Sequence, residues 1–108
     1  MQLYHLKSCD TCRKARKTLA DRDPELIEIR ETPVPVEVLA EWLEKVGADV
    51  LLNRKSTTWR GLSDAERAGE PLDLLTAHPT LMKRPVIVDG DAVYVGWAPA
   101  VRASLGLE

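Results

Sequence analysis

Ser8-Cys9-Asp10-Thr11-Cys12-Arg13-Lys14 contains both cysteines of the chain, with two residues between them. A short apolar segment, Leu3-Tyr4-His5-Leu6, precedes it, and a basic run of good helix formers follows. A strand, a Cys-x-x-Cys and then a helix is the sequence form of a redox dithiol. Cys9 falls just ahead of the helix, where unpaired backbone N–H groups and the helix dipole lower a thiol pKa. Cys12 falls one turn in, close enough to attack a mixed disulfide on Cys9. Two other readings fit the same pair. One is half of a zinc site, for which only His5 and His78 remain as nitrogen donors. The other is two inert thiols.

Outward from this stretch the element order follows from periodicity and breakers. Gln2 to Leu6 reads as a strand, and Arg13 to Leu19 as a helix continuing to about Arg22, stopped by Asp23-Pro24. Leu26, Ile27 and Ile29 mark a second strand, Glu25 to Arg30. This βαβ unit predicts a right-handed crossover with parallel strands. After Thr32-Pro33-Val34-Pro35, Val36, Leu39, Leu43 and Val46 recur at helical spacing, with Gly47 just past the end. Val50-Leu51-Leu52 is apolar and ambiguous, and Asn53 to Arg60 reads as a polar loop. Ser63-Asp64-Ala65-Glu66 has the form of a capping box, and Leu72, Leu74 and Leu75 lie on another short helix before His78-Pro79. Arg84-Pro85-Val86-Ile87-Val88 opens a strand with proline at its first position. Asp89-Gly90-Asp91 is a hairpin turn into Ala92 to Val95. Pro99 to Leu105 is a last helix, ended by Gly106. The order is βαβ, a helical insertion at about 33–80, then ββα.

A chain of 108 residues predicts one domain, 1–108, with a single modest core. Hydrophobic residues at 44% and charged residues at 30% are an ordinary soluble balance. No stretch approaches the roughly 18 apolar residues of a membrane span. The N-terminus carries no charged-then-apolar signal pattern, so the expectation is a cytoplasmic protein. There a lone pair of cysteines serves redox chemistry or a metal rather than a structural disulfide. The net charge of −2 gives no reason to expect nucleic acid as a partner. Lys7, Arg13, Lys14, Arg16 and Lys17 nevertheless cluster around the cysteines, opposed only by Asp10. They form either a solvated helix face or a field that stabilises thiolate.

The remaining candidates are more open. Arg84-Pro85 fits a tight cis turn, and equally an edge-strand proline beside a surface arginine. Arg54, Lys55 and Arg60 accompany Trp59 in the polar loop. Guanidinium groups there suit an oxyanion or carboxylate, and a solvated basic loop suits them as well. His5 reads as a strand side chain, His78 as a helix-ending residue and Trp42 as packing. Trp97 reads as either cleft or core.

Taken together, these segments resemble the ArsC/Spx family, the glutathione-linked type of arsenate reductase and its relatives, and most of all its small YffB-like members. The resemblance rests on Leu3 through Arg16, Leu51-Leu52-Asn53-Arg54-Lys55-Ser56-Thr57-Thr58-Trp59-Arg60, His78 through Val88 and Val95-Gly96-Trp97, in the family's order. It implies an α/β, thioredoxin-like fold with a mixed four-stranded sheet flanked by helices. It also implies Cys9 as the catalytic nucleophile, Arg54 and Arg84 as oxyanion-binding arginines and Arg13 as a residue that keeps the loop electropositive. Pro85 would be cis, and Arg84, the residue before it, would face the cysteine. Glutathione would be the co-substrate, with glutaredoxin as a further partner, and no bound cofactor or metal, nucleic acid or membrane is expected. A monomer is expected.

Three positions depart from the reductase pattern. Gly96-Trp97-Ala98-Pro99 lacks the third arginine, Asp10 enters the loop after the cysteine where the reductases carry glycine, and Cys12 stands where they have serine. The expectation is therefore a reductase acting on a small oxyanion or on a thiol or disulfide, with Cys12 as resolving thiol. The alternative is an Spx-like redox-sensing regulator that binds RNA polymerase. The shorter segment after the last helix favours the enzyme.

Overall fold

The computed structural model describes residues 1–107. Among them β1 (Gln2–His5) is central: it pairs in parallel with β2 (Glu25–Glu28) and antiparallel with β3 (Val86–Asp89). With β4 (Ala92–Val95) paired antiparallel to β3, the sheet order is β2-β1-β3-β4. This is the mixed four-stranded sheet expected, and its parallel pair is the βαβ unit.

Register explains the core. Leu3 lies opposite Ile87, and Ile87 opposite Tyr94, so strand alternation brings the three side chains to one face. Helix α1 (Asp10–Thr18) covers that face with Ala15, and Leu19 follows at its C-cap. Leu105, at the end of α7 (Pro99–Ser104), joins them, with Met1, Trp97, Val101 and Leu107 packed around. Leu3, Leu19 and Ile87 have no exposed surface. Each such side chain stabilises the fold by roughly 1.5–3 kcal/mol relative to exposure.

Residues 1–32 and the described residues from Arg84 onward make one compact unit, and Pro33–Lys83 makes a second. In the second, α2 (Val36–Val46) buries Leu39 and Trp42 and packs against α6 (Pro71–Ala77), which buries Leu74 and Leu75. Between them lie three single-turn helices, α3 (Ala48–Leu51), α4 (Thr57–Arg60) and α5 (Asp64–Arg67), the last closed by the Ser63–Glu66 capping box.

Several boundaries differ from the sequence reading. Helix α1 starts at Asp10 rather than Arg13, because the Cys9 side chain accepts a first-turn N–H. It also ends earlier, at Thr18, and Ala20–Arg22 tightens into a 3-10 turn. Asp23 then takes a left-handed φ of 49°, which short polar side chains tolerate. Strand β2 stops at Glu28 because its carboxylate accepts the Arg30 N–H at 2.6 Å and its carbonyl the Thr32 N–H at 2.8 Å, turning the chain. Thr57–Arg60 is helical rather than loop, capped by Ser56. Strand β3 begins at Val86, one residue after the donorless Pro85, whose carbonyl accepts the Gly96 N–H at 2.8 Å. The ambiguous Val50-Leu51-Leu52 ends α3, and Leu52 bridges to Met82.

Candidate functional site

The site forms where β1 hands over to α1. The chain turns through Leu6, a buried residue whose carbonyl accepts the Cys9 N–H at 3.2 Å. Cys9 then stands at the N-cap of α1 in extended conformation, φ −91° and ψ 114°. A residue there leaves the N–H groups of the first turn without helical partners. Cys9 fills the position with sulfur: Sγ accepts the Cys12 N–H at 3.4 Å. One turn along, Cys12 is fully buried, whereas Cys9 is only half-buried, and both are free thiols.

The two sulfurs have opposite acidities. Burial pushes the Cys9 thiol up. Against it act the Cys12 thiol and backbone N–H as hydrogen-bond donors, together with the charge and hydrogen bond of the Arg84 guanidinium. The net result lies below the ordinary thiol range. Cys12 is pushed up to about 12, first by burial, then by donating to Cys9 and by the charge on that sulfur. A backbone hydrogen bond from Leu6 and the Arg84 charge pull the other way without overcoming these effects. Of such a pair, the half-buried Cys9 ionises first, and thiolate is the nucleophilic form of sulfur.

Arg84 reaches Cys9 from the strand-opening turn, where the Arg84–Pro85 peptide bond is cis and Pro85 is fully buried. The site therefore gathers Cys9, Cys12, Arg84 and Pro85, read from segments more than seventy residues apart. Arg13 is exposed on α1 and paired with Asp10 at 3.4 Å. His5 is a buried strand residue on β1, its pKa lowered by burial and by the nearby Arg16 charge. Among the described residues, no group of three or more His, Cys, Asp or Glu side chains is placed to hold a metal.

Residues 4–103 match the model of the ArsC family. The chain belongs to the ArsC family. Among its relatives is an uncharacterized protein of Haemophilus influenzae, 36% identical in an alignment of 101 residues that covers 88% of this chain and 89% of that one. Another is the global transcriptional regulator Spx of Listeria monocytogenes, 30% identical over 88% of this chain and 78% of Spx. Among solved structures, a YffB protein superposes with a TM-score of 0.85 at 32% identity, covering 94% of this chain and 95% of that one. An arsenate reductase (ArsC) related protein from Brucella melitensis gives 0.75 at 33%, covering 97% and 95%. The thioredoxin-like fold of this ArsC-family chain is thereby shown as well. No helix among its described residues is long and apolar enough to cross a membrane.

Arg54 lies in the Pro33–Lys83 unit, and its surroundings there were not legible in the sequence. Its Nη1 donates to Asp49 Oδ1 at 2.8 Å, and its guanidinium lies 5.7 Å from the centroid of the Trp59 ring. Arg67 lies over the same ring at 5.5 Å. Asp49 sits five positions before Arg54 in a stretch with no clear period, so nothing in the pattern marks it as a partner. Ser56 also went unmarked, although a serine three residues before Trp59 is a recognisable cap once a helix is suspected. Trp97 packs against the core beside the sheet, one of the two roles its position allowed.

Proposed function

We propose that this ArsC-family protein is a glutathione-dependent thiol oxidoreductase with Cys9 as nucleophile, Cys12 as resolving thiol and a disulfide as its preferred substrate. The single observation that carries this reading is the split between two adjacent thiols: the accessible one acidic beside Arg84, the buried one held protonated. In the reaction, Cys9 thiolate attacks one sulfur of a substrate disulfide and releases the other half as thiolate. Cys9 no longer carries charge in this mixed disulfide, so one of the causes holding Cys12 protonated is lifted. Cys12 then attacks Cys9 sulfur, its proton ends on the departing thiol, and a Cys9–Cys12 disulfide remains. Two glutathiones return it to the dithiol and leave as glutathione disulfide; glutaredoxin serves as an alternative reductant.

Inorganic oxyanions fit less well. Asp10 follows the nucleophile directly, Arg54 is already held by Asp49, and Gly96-Trp97-Ala98-Pro99 supplies no cation. Arsenate would still meet Cys9 and Arg84, so slow turnover is expected. A second reading draws on the likeness to Spx: the same dithiol acting as a redox switch for polymerase binding. The test is a panel of disulfides and arsenate with glutathione and glutaredoxin, run on wild type, Cys9→Ser and Cys12→Ser. Disulfide reduction lost in Cys9→Ser, and supported in part by glutathione in Cys12→Ser, is the expected result. Equal rates in wild type and Cys9→Ser would overturn it. Redox-dependent binding to RNA polymerase without turnover would establish the regulator instead.

A further inference from the structure

A polar cleft lies wholly within the Pro33–Lys83 unit. It has a volume of about 210 Å³ and is lined by Asp49, Leu52, Asn53, Arg54, Lys55 and Lys83. Its walls are built by the backbone. The Asn53 N–H donates to the Leu81 carbonyl at 2.9 Å and the Lys83 N–H to the Leu51 carbonyl at 2.8 Å, which places Lys83 alongside the turn. In that turn Asn53 Oδ1 accepts the Lys55 N–H at 3.1 Å, and the Asn53 carbonyl accepts the Ser56 hydroxyl at 2.7 Å. Lys55 and Lys83 are thus presented from a hydrogen-bonded frame. Among the described residues neither ammonium has a partner.

The charges define the ligand. Three cations face one carboxylate, so the cleft favours an anion. Arg54, the cation best suited to a phosphate-like group, is held by Asp49 and stacked near Trp59. Two point-like ammonium groups are left for the ligand's negative end. Asp49 is almost fully exposed, at 93% of its side chain, and uses Oδ1 for Arg54. Its other oxygen is available to an ammonium and repels a polyanion. A carboxylate and an ammonium on neighbouring atoms are the signature of a free amino-acid end. Drug-sized ligands fill clefts of roughly 300–1,000 Å³, so this smaller one suits one end of a peptide.

We infer that the cleft binds the free amino-acid end of a small anionic thiol peptide of the glutathione class, its carboxylate on Lys55 and Lys83 and its ammonium on Asp49. This assignment rests on the glutathione-dependent reading, and the site lies wholly within the Pro33–Lys83 unit. No chemistry takes place there.

The test is a calorimetric or NMR titration of the full chain with S-methylglutathione, which cannot exchange thiols. S-methyl-cysteinylglycine, lacking the γ-glutamyl end, and inorganic phosphate are run alongside. Saturable binding of S-methylglutathione, several-fold tighter than the truncated peptide, is expected. The double variant Lys55→Gln/Lys83→Gln should weaken it about tenfold, the effect of removing two exposed charges at once. Asp49→Asn should weaken the peptide and strengthen phosphate. Unchanged affinity in the double variant would overturn the inference. So would a loss of preference for the γ-glutamyl end, or an Asp49→Asn effect of the same sign on peptide and phosphate, which marks a plain anion site. Disulfide reduction with dithiothreitol, taken as the rate of wild type in excess of Cys9→Ser, separates the two readings: that excess depends on the Cys9 chemistry and persists if only the cleft assignment fails.

Discussion

Helix α1 and helix α4 begin with the same hydrogen bond. At α1 the Cys9 sulfur accepts the Cys12 N–H at 3.4 Å; at α4 the Ser56 oxygen accepts the Trp59 N–H at 3.1 Å. Both caps leave an extended N-cap residue and satisfy a donor three positions along. The difference is the atom. A serine hydroxyl does not ionise in the working range, so the cap at α4 supplies only local stability. A thiol does ionise, so the same backbone N–H becomes a stabiliser of charge, and Arg84 adds to it. A structural device becomes an ionisable one through a single change of element, with the Cys12 thiol and one neighbouring guanidinium lowering its pKa.

The largest effect is expected from exchanging the atoms. Cys9→Ser keeps a good cap and removes the nucleophile. Turnover should fall to background while the thermal midpoint stays within a few degrees of wild type; large unfolding would show that the sulfur also holds the loop together. Next in size is the guanidinium. Arg84→Gln should move the pH midpoint of Cys9 alkylation upward, with the neutral-pH rate falling about tenfold for each pH unit of displacement. An unmoved midpoint would leave the Cys12 thiol and backbone N–H responsible for the acidity.

Stability against pH sharpens the contrast between the two sulfurs. The lowered Cys9 favours the folded state above the ordinary thiol pKa, and that contribution is lost as pH falls through the folded value. Cys12 acts in the opposite sense. Between the ordinary thiol value of 9.0 and about 12 the unfolded chain sheds its proton while the folded chain keeps it, so stability declines as pH rises. Chemical denaturation across this window should show that decline in wild type and a shallower one in Cys12→Ala, compared as slopes. The smallest effect belongs to the oxygen cap: Ser56→Ala should cost about 1 kcal/mol in a urea melt and leave the Cys9 alkylation profile unmoved.

Much of this molecule is legible in its sequence, for reasons that differ by region. The βαβ opening is readable because Leu3, Leu26 and Ile27 sit in short apolar runs on either side of a helix-forming stretch, closed by Asp23-Pro24. The Ser63–Glu66 box is readable because both of its hydrogen bonds are local. The boundaries that shifted did so through side chains acting on backbone. Glu28 turned β2 early, Cys9 started α1 early, and Ser56 made helix from a polar loop. None of these follows from hydrophobic period, because each is set by one or two individual hydrogen bonds.

The site divides the same way. Cys9 and Cys12 were a pair from their spacing alone, since two residues on a helix start cannot be far apart. The order of reactivity expected of them rests on the position of the helix N-terminus. The family, the order of elements around the dithiol and the absence of an arginine at Gly96-Trp97-Ala98-Pro99 are likewise legible in the residues alone. Only the tertiary structure decided which charges act on which groups. It set Arg84 against Cys9 and buried Cys12 until its thiol resisted ionisation. It also bound Arg54 to Asp49 and Trp59. Coulomb and hydrogen-bond energies depend on separation and burial, and neither quantity is written in the order of residues along a chain.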